Sequence, residues 1–291
     1  MASWLPLALV LSAVDGGGAP ATSPDGGLPA GAAKPPGAAN FAVRAVNTGE
    51  PVVALTFDAC ATLRQPNGFD RRVFEVLAAE QIPATLYLSG RWVEKHPSAA
   101  KAIAAAPFIE LGNHSYSHPR LTLVRKARLR WQIRSTSQLL EKKLGRKPLT
   151  LRPPAGAWNA KVVAAASREH LPVVTWSVVS GDVGGHVPPA RMVQSVVDQA
   201  KPGAIIIFHI NRREPNPRKA LPGVIAGLRE KGFRFVTVSQ LLALPNATWE
   251  PARPSRLGFH KRNRPRAPES ANPEPVPVPQ SQGEGLADPP T

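Results

Sequence analysis

Between Glu50 and Leu244, short runs rich in Val, Ile and Leu alternate with segments of helical period. This is the pattern of β/α units around a buried parallel sheet, whose strands are apolar on both faces. The runs predicted as strands are Val52–Asp58, Ala84–Ser89, Phe108–Gly112, Thr150–Arg152, Val173–Val179, Ala204–His209 and Phe233–Val238. Leu129, Ile133, Leu140 and Leu144 share a face with Thr136 in a long basic helix that stops at Gly145. Seven strands in this alternation predict an α/β fold, either barrel-like or doubly wound.

Outside that span the texture changes. Residues 1–20 carry the apolar run Trp4-Leu5-Pro6-Leu7-Ala8-Leu9-Val10-Leu11 followed by small residues, which reads as the core of a secretory signal although no Lys or Arg precedes it. A buried N-terminal element is the plainer alternative, and Pro6 with the glycines that follow argues against it. Residues 21–48 are mostly Gly, Ala, Pro and small polar types and read as a linker, too poor in large apolar groups to offset the entropy of ordering. The patterned region, 49–245, is expected to be the folded domain. Residues 246–291 are expected to be a disordered tail, basic from Arg253 to Arg266 and then of polyproline II type from Pro273 to Pro279.

Composition adds exclusions. The 291 residues are 43% hydrophobic, enough for a sizeable core, while 33 prolines and only 19% charged residues exclude a coiled coil. A single cysteine excludes an internal disulfide framework and a Cys-rich zinc module. The N-terminal apolar run is too short to span a bilayer, which takes about 20 residues. A net charge of +16 predicts attraction to anionic polymers. The basic stretches lack interleaved aromatics and any known recognition module, so nucleic acid is not an expected partner. The Arg/Lys cluster of the tail reads either as a tether to an anionic polymer or as a solubilising segment.

In parallel β/α architectures ligands bind beyond the C-terminal ends of the strands. Five predicted strands end on residues able to do chemistry: Asp58; His114 with His118; Arg152; Asp182; and His209. Each has a bland reading alone. The spacing of His114 and His118 suits two metal ligands on one helical turn, but such a pair often only packs a helix. Asp58 suits a cap or an ion pair, His209 a hydrogen-bonded core histidine, and Arg152 with its two prolines a stiff loop.

Taken in order, these segments resemble the polysaccharide deacetylases of carbohydrate esterase family 4. Thr56-Phe57-Asp58 resembles the first family motif, usually T-F-D-D, and His114-Ser115-Tyr116-Ser117-His118 matches H-[ST]-x-x-H. Arg152-Pro153-Pro154-Ala155-Gly156 matches R-x-P-x-G, Trp176 to Asp182 is a reduced fourth motif, and Ile207-Phe208-His209 is similar to L-x-H. The resemblance covers 51–244 and implies a distorted seven-stranded (β/α) barrel. It implies hydrolysis of N-acetyl groups on an amino-sugar polysaccharide by an exported enzyme. His114 and His118 would hold a divalent metal, commonly zinc, which polarises the acetyl carbonyl and acidifies water from 15.7 towards about 7. By the same resemblance Asp58 would be the base and His209 the acid that protonates the leaving amine. Arg152 would keep Asp58 ionised and Asp182 would orient His209 and favour its imidazolium. The Ala155 N–H would face the oxyanion, and Ile207 would wall the pocket for the acetyl methyl.

The sequence departs from the family where its second aspartate, a metal ligand, would stand: that position is Ala59. Three readings follow. The metal is held by the two histidines with water and another side chain; or Asp58 is itself a ligand; or the site is a carbohydrate-binding relic without turnover. Cys60 shares parity with Asp58 if the strand continues, which makes it a candidate soft ligand beside the plainer role of a small buried residue. The fourth motif has also lost an acid and a Trp, at Val179 and Val183. Survival of Asp58, His209, both metal histidines and Arg152 together favours retained activity.

Overall fold

The apolar runs fold into one curved sheet with helices packed outside it. The computed structural model describes residues 41–62, 68–183, 187–210 and 216–255. In chain order the elements are β1 (Val43–Asn47), β2 (Val52–Ala59), α1 (Arg71–Ala79), β3 (Ala84–Leu88), α2 (Gly90–Lys95), α3 (Pro97–Ala105), β4 (Ile109–Asn113), α4 (Lys126–Leu144), α5 (Ala160–Ser167), β5 (Val178–Val179), α6 (Pro189–Gln199), β6 (Ala204–His209), α7 (Asn216–Glu230), β7 (Arg234–Phe235), α8 (Val238–Leu242) and β8 (Thr248–Pro251).

The strands β4, β3, β2 and β6 form a parallel ladder, with β5 beside β6 and β7 beside the start of β2. Isolated bridges from Asn113 to Leu151 and from Leu151 to Val173 carry the wall on from β4 to the segment that ends in β5. The wall thus returns to β6, and the result is a distorted β/α barrel. Strand β2 is buried along its whole length, which its near-continuous apolar sequence requires. Phe57 and Phe208 stack with their ring centroids 5.6 Å apart, in the apolar layer that also receives Val73 and Leu77 of α1 and Val224 and Leu228 of α7. Helix α4 ends at Gly145, whose φ of 68° is the left-handed cap that glycine adopts without a Cβ clash.

Several expected boundaries are corrected. Strands β1 and β8 pair antiparallel, so the folded region reaches back into the expected linker of 21–48 and forward into the expected tail of 246–291. They were not legible because their partner lies some two hundred residues away in the chain, and neither run is long or strongly apolar. The expected strand at Thr150–Arg152 contributes only bridges at Leu151, and the expected strand at Phe233–Val238 splits into β7 and the first residue of α8. That split has a local cause: Thr237 and Gln240 form a reciprocal capping box that starts the helix. The expected signal segment, most of the linker, and the tail beyond Ser255 lie outside the described residues. Among the described residues, no helix is long and apolar enough to cross a membrane.

Candidate active site

The site is built on the C-terminal ends of β2, β4 and β6. In the parallel ladder of β2 and β6, Thr56 pairs in register with Ile207 and Asp58 with His209. Side chains at matched register lie side by side on one face, so the sheet itself brings a carboxylate and an imidazole to the same rim. Each is held by its own partner. Asp58 Oδ1 accepts from Arg152 Nη1 at 3.0 Å, and the same nitrogen donates to Thr56 Oγ1 at 2.7 Å. Arg152 Nη2 donates to the Thr175 carbonyl at 2.9 Å, and the guanidinium lies 4.1 Å from the centre of the Tyr87 ring. Arg152 is fully buried, and these contacts make that burial tolerable.

His209 is held from its other side. Its backbone N–H donates to Asp182 Oδ2 at 2.6 Å, and its Nδ1 lies 3.1 Å from Asp182 Oδ1. A carboxylate only accepts, so Nδ1 carries the proton of that contact and the tautomer is set. Asp182 is itself nearly inaccessible, and its N–H donates to Ser180 Oγ at 3.3 Å.

His114 and His118 follow β4, and the i, i+4 spacing acts differently from the helical turn expected. The segment is a loop in which Ser115 and His118 take left-handed φ values of 60° and 58°. Two side chains hold this costly backbone. Asn113 Oδ1 accepts from Ser115 N–H at 2.9 Å, while its Nδ2 donates to the Ile133 carbonyl of α4 at 2.8 Å. Gln132 Oε1 accepts from the N–H groups of Tyr116 and Ser117, at 2.8 and 2.9 Å, and Gln132 Nε2 donates to Ser117 Oγ. The two imidazoles end 4.9 Å apart, edge to face.

His114 Nδ1 lies 2.7 Å from the Arg152 carbonyl, which can only accept; Nδ1 therefore bears the proton and Nε2 presents its lone pair to the site. That Nε2 is buried without a hydrogen-bond partner, and the nearest Asp58 oxygen stands 3.5 Å away. A ligand atom of His114, one of His118 and the thiol sulfur of Cys60 all lie within 4.8 Å of one another. An orphaned, lone-pair-bearing nitrogen beside a second imidazole and a thiol fits a transition-metal ion.

The protonation states agree. Burial would raise the Asp58 carboxyl, but His114, Arg152 and His209 outweigh it and hold the group below the usual carboxylate value. Burial pushes His114 down despite the lift from Asp58, so His114 is neutral near pH 7. Burial, with the neighbouring His114, pushes His118 down to about 3. Both imidazoles are therefore in the form that ligates metal. Asp58 pairs in register with His209 and stands 3.5 Å from His114, whose ring lies against His118, so all three imidazoles gather at one rim.

Of the other predicted residues, Ile207 is buried two positions before His209 on the same face of β6. Ala155 is exposed with a left-handed φ of 56°, in a turn whose following N–H groups, of Gly156 and Ala157, donate to the Pro153 and Pro154 carbonyls. Sequence reasoning missed Thr56, Tyr87, Gln132 and Asn113 as supports. Gln132 had left a signal, a glutamine beside Ile133 on the apolar face of α4; Tyr87, inside a run of apolar residues, had left none. Trp92 and Trp158 are buried core residues, and Trp176 underlies Gly156, where a Cβ would stand 2.8 Å from the indole.

The fold is a distorted β/α barrel with these groups gathered at its rim, and the chain's relatives share it. The polysaccharide deacetylase family model matches residues 45–174, and the chain belongs to that family, carbohydrate esterase family 4. It is 32% identical over 191 residues to a peptidoglycan-N-acetylglucosamine deacetylase of Bacillus cereus, covering 65% of this chain and 67% of that protein. It is 28% identical over 196 residues to an uncharacterized protein of Bacillus subtilis; the match takes in 67% of this chain and spans 59% of that protein's length. Among solved structures it resembles a family 4 pseudoenzyme from Bacillus anthracis, with a TM-score of 0.61, 28% identity and 68% of each chain covered. A mutant of that pseudoenzyme is described as having restored enzymatic activity.

Proposed function

We propose that this chain hydrolyses the N-acetyl groups of an amino-sugar polymer, peptidoglycan or a chitin-like or surface polysaccharide. The observation that carries the reading is the register pairing of Asp58 with His209, each backed by a separate ionic partner. A base and an acid on the same rim suit amide hydrolysis, which needs an activated water and a protonated leaving nitrogen. His114 and His118 hold a divalent cation of the zinc type, which when bound supplies Lewis acidity and acidifies water. Asp58, kept ionised by Arg152, takes the proton of the attacking water. His209, oriented by Asp182, gives a proton to the departing sugar amine, and acetate leaves. The Ala155 N–H donates to the developing oxyanion, and Ile207 packs against the acetyl methyl.

On this reading the protein is exported to the cell envelope, and its basic C-terminal stretch tethers it to an anionic cell-wall polymer. The test is acetate release from peptidoglycan and chitooligosaccharides by the full chain supplied with Zn²⁺ or Co²⁺. Release that vanishes in Asp58→Asn and in His209→Gln supports the reading, and metal binding without release from any substrate overturns it.

Ala59 and the likeness to a pseudoenzyme favour a second reading, a polysaccharide-binding protein that keeps the deacetylase fold. Cosedimentation with cell-wall polymer that survives chelation and His114→Ala, together with no acetate release, would select it.

A further inference from the structure

Cys60 is the one cysteine of the chain, and its surroundings are built. The residue follows β2 directly, and Ser89 fastens the backbone on both sides of it. The Ser89 N–H donates to the Ala59 carbonyl at 3.1 Å, and Ser89 Oγ accepts from the Ala61 N–H at 3.1 Å. Ser89 is fully buried and Cys60 is only 8% exposed, so the thiol is presented from a fixed backbone. Its sulfur falls within 4.8 Å of ligand atoms of both His114 and His118. A small buried residue would satisfy packing there, but packing does not account for the second observation. His114 Nε2, on a side chain 1% exposed, has no hydrogen-bond partner and faces the same cluster.

We infer that Cys60 is the third protein ligand of the metal, its thiolate supplying the negative charge that Ala59 cannot. The inference rests on the metal-centre reading for His114 and His118 and adds the group that completes their set. Asp58 is the competing donor, but its Oδ1 is engaged by Arg152, which leaves that carboxylate to act as a base. Adjacency in sequence allows the exchange. One residue beyond Ala59, the alternation of the extended backbone returns to the face of Asp58. A carboxylate and a thiolate carry the same charge but differ in softness. A Cys-His-His set therefore favours Zn²⁺ and Co²⁺ over Mn²⁺ and Mg²⁺, which prefer oxygen donors. Binding releases the thiol proton to the buffer.

The experiment is a Co²⁺ titration of the metal-stripped full chain, read by absorption. The expected result is an intense near-ultraviolet sulfur-to-cobalt charge-transfer band growing in step with weaker visible bands. With one thiol in the chain, that band has a single assignment and needs no variant to interpret it. In Cys60→Ser the band is lost and Co²⁺ affinity falls by about tenfold or more. Visible cobalt bands without the charge-transfer band overturn the inference, as does failure to bind Co²⁺. The readout is independent of turnover. A thiolate band without acetate release removes the deacetylase reading and keeps this one, and release without the band does the reverse.

Discussion

Asp58 and His209 stand at the same register on neighbouring parallel strands, and each is held by an ionic partner of its own. Asp58 pairs with Arg152 at 3.0 Å and His209 with Asp182 at 3.1 Å. Two adjacent groups of opposite tendency would otherwise neutralise each other by sharing a proton. On the proposed reading, separate partners let Asp58 accept a proton and His209 give one, the division that amide hydrolysis needs.

Replacing Arg152 by Lys keeps the charge and removes the fork. One ammonium cannot serve Thr56, Asp58 and the Thr175 carbonyl together, nor lie flat against Tyr87. Arg152 lowers the Asp58 carboxyl, so weakening it raises that carboxyl, and a base must be ionised to work. The acid limb of kcat/KM in Arg152→Lys is expected to move to higher pH by about one unit. An unmoved limb would show that Asp58 is not the group titrating there.

Asp58→Asn and His209→Gln should separate stability from catalysis. The first leaves a buried guanidinium without its counter-charge and is expected to cost about 3–5 kcal/mol in urea unfolding. The second removes a side chain 14% exposed whose main interaction is at the rim. It should leave unfolding and Co²⁺ binding nearly unchanged while lowering kcat by about 10²–10⁴.

Gln132 lies on α4, yet it holds the loop of His114 and His118 through two backbone N–H groups and Ser117. Gln132→Ala is expected to weaken metal affinity by about tenfold, because Ser115 and His118 sit in left-handed backbone that relaxes when its acceptor is lost. Isothermal titration with Zn²⁺ checks this, with Leu123→Ala, an exposed residue, as the control.

The sequence disclosed most where one local rule sufficed. Runs such as Val52–Asp58 and Ala204–His209 are apolar on both faces and end on polar residues, so both strand and site could be read from them. It disclosed less where distant segments decide the outcome. Strands β1 and β8 are defined by each other. The spacing of His114 and His118 suggested a helix because the Asn113 and Gln132 hydrogen bonds that hold a loop instead come from tertiary contact. The position of Cys60 is not legible in the sequence because parity alone does not say whether a strand continues; the two Ser89 hydrogen bonds fasten the chain on either side of it.

The last prediction concerns Glu110, a carboxyl on β4 outside the rim residues. It is 4% exposed, accepts from the Ser239 N–H of α8 at 3.0 Å and lies 3.2 Å from Thr85 Oγ1, which itself accepts from the Val238 N–H. Burial raises its pKa more than these hydrogen bonds lower it. A raised carboxyl keeps its proton to higher pH in the folded protein than in the unfolded chain, which ionises from about 4.3. Its contribution to stability is therefore greatest below that value and is lost as pH rises through the folded pKa. Glu110→Gln does not ionise and retains a carbonyl oxygen for Ser239. The difference in urea midpoint between the two proteins should shift in favour of the variant from pH 4 upward and then level off. A pH-independent difference would mean that Glu110 ionises alike in the folded and unfolded states, and that the Ser239 and Thr85 contacts offset its burial in full.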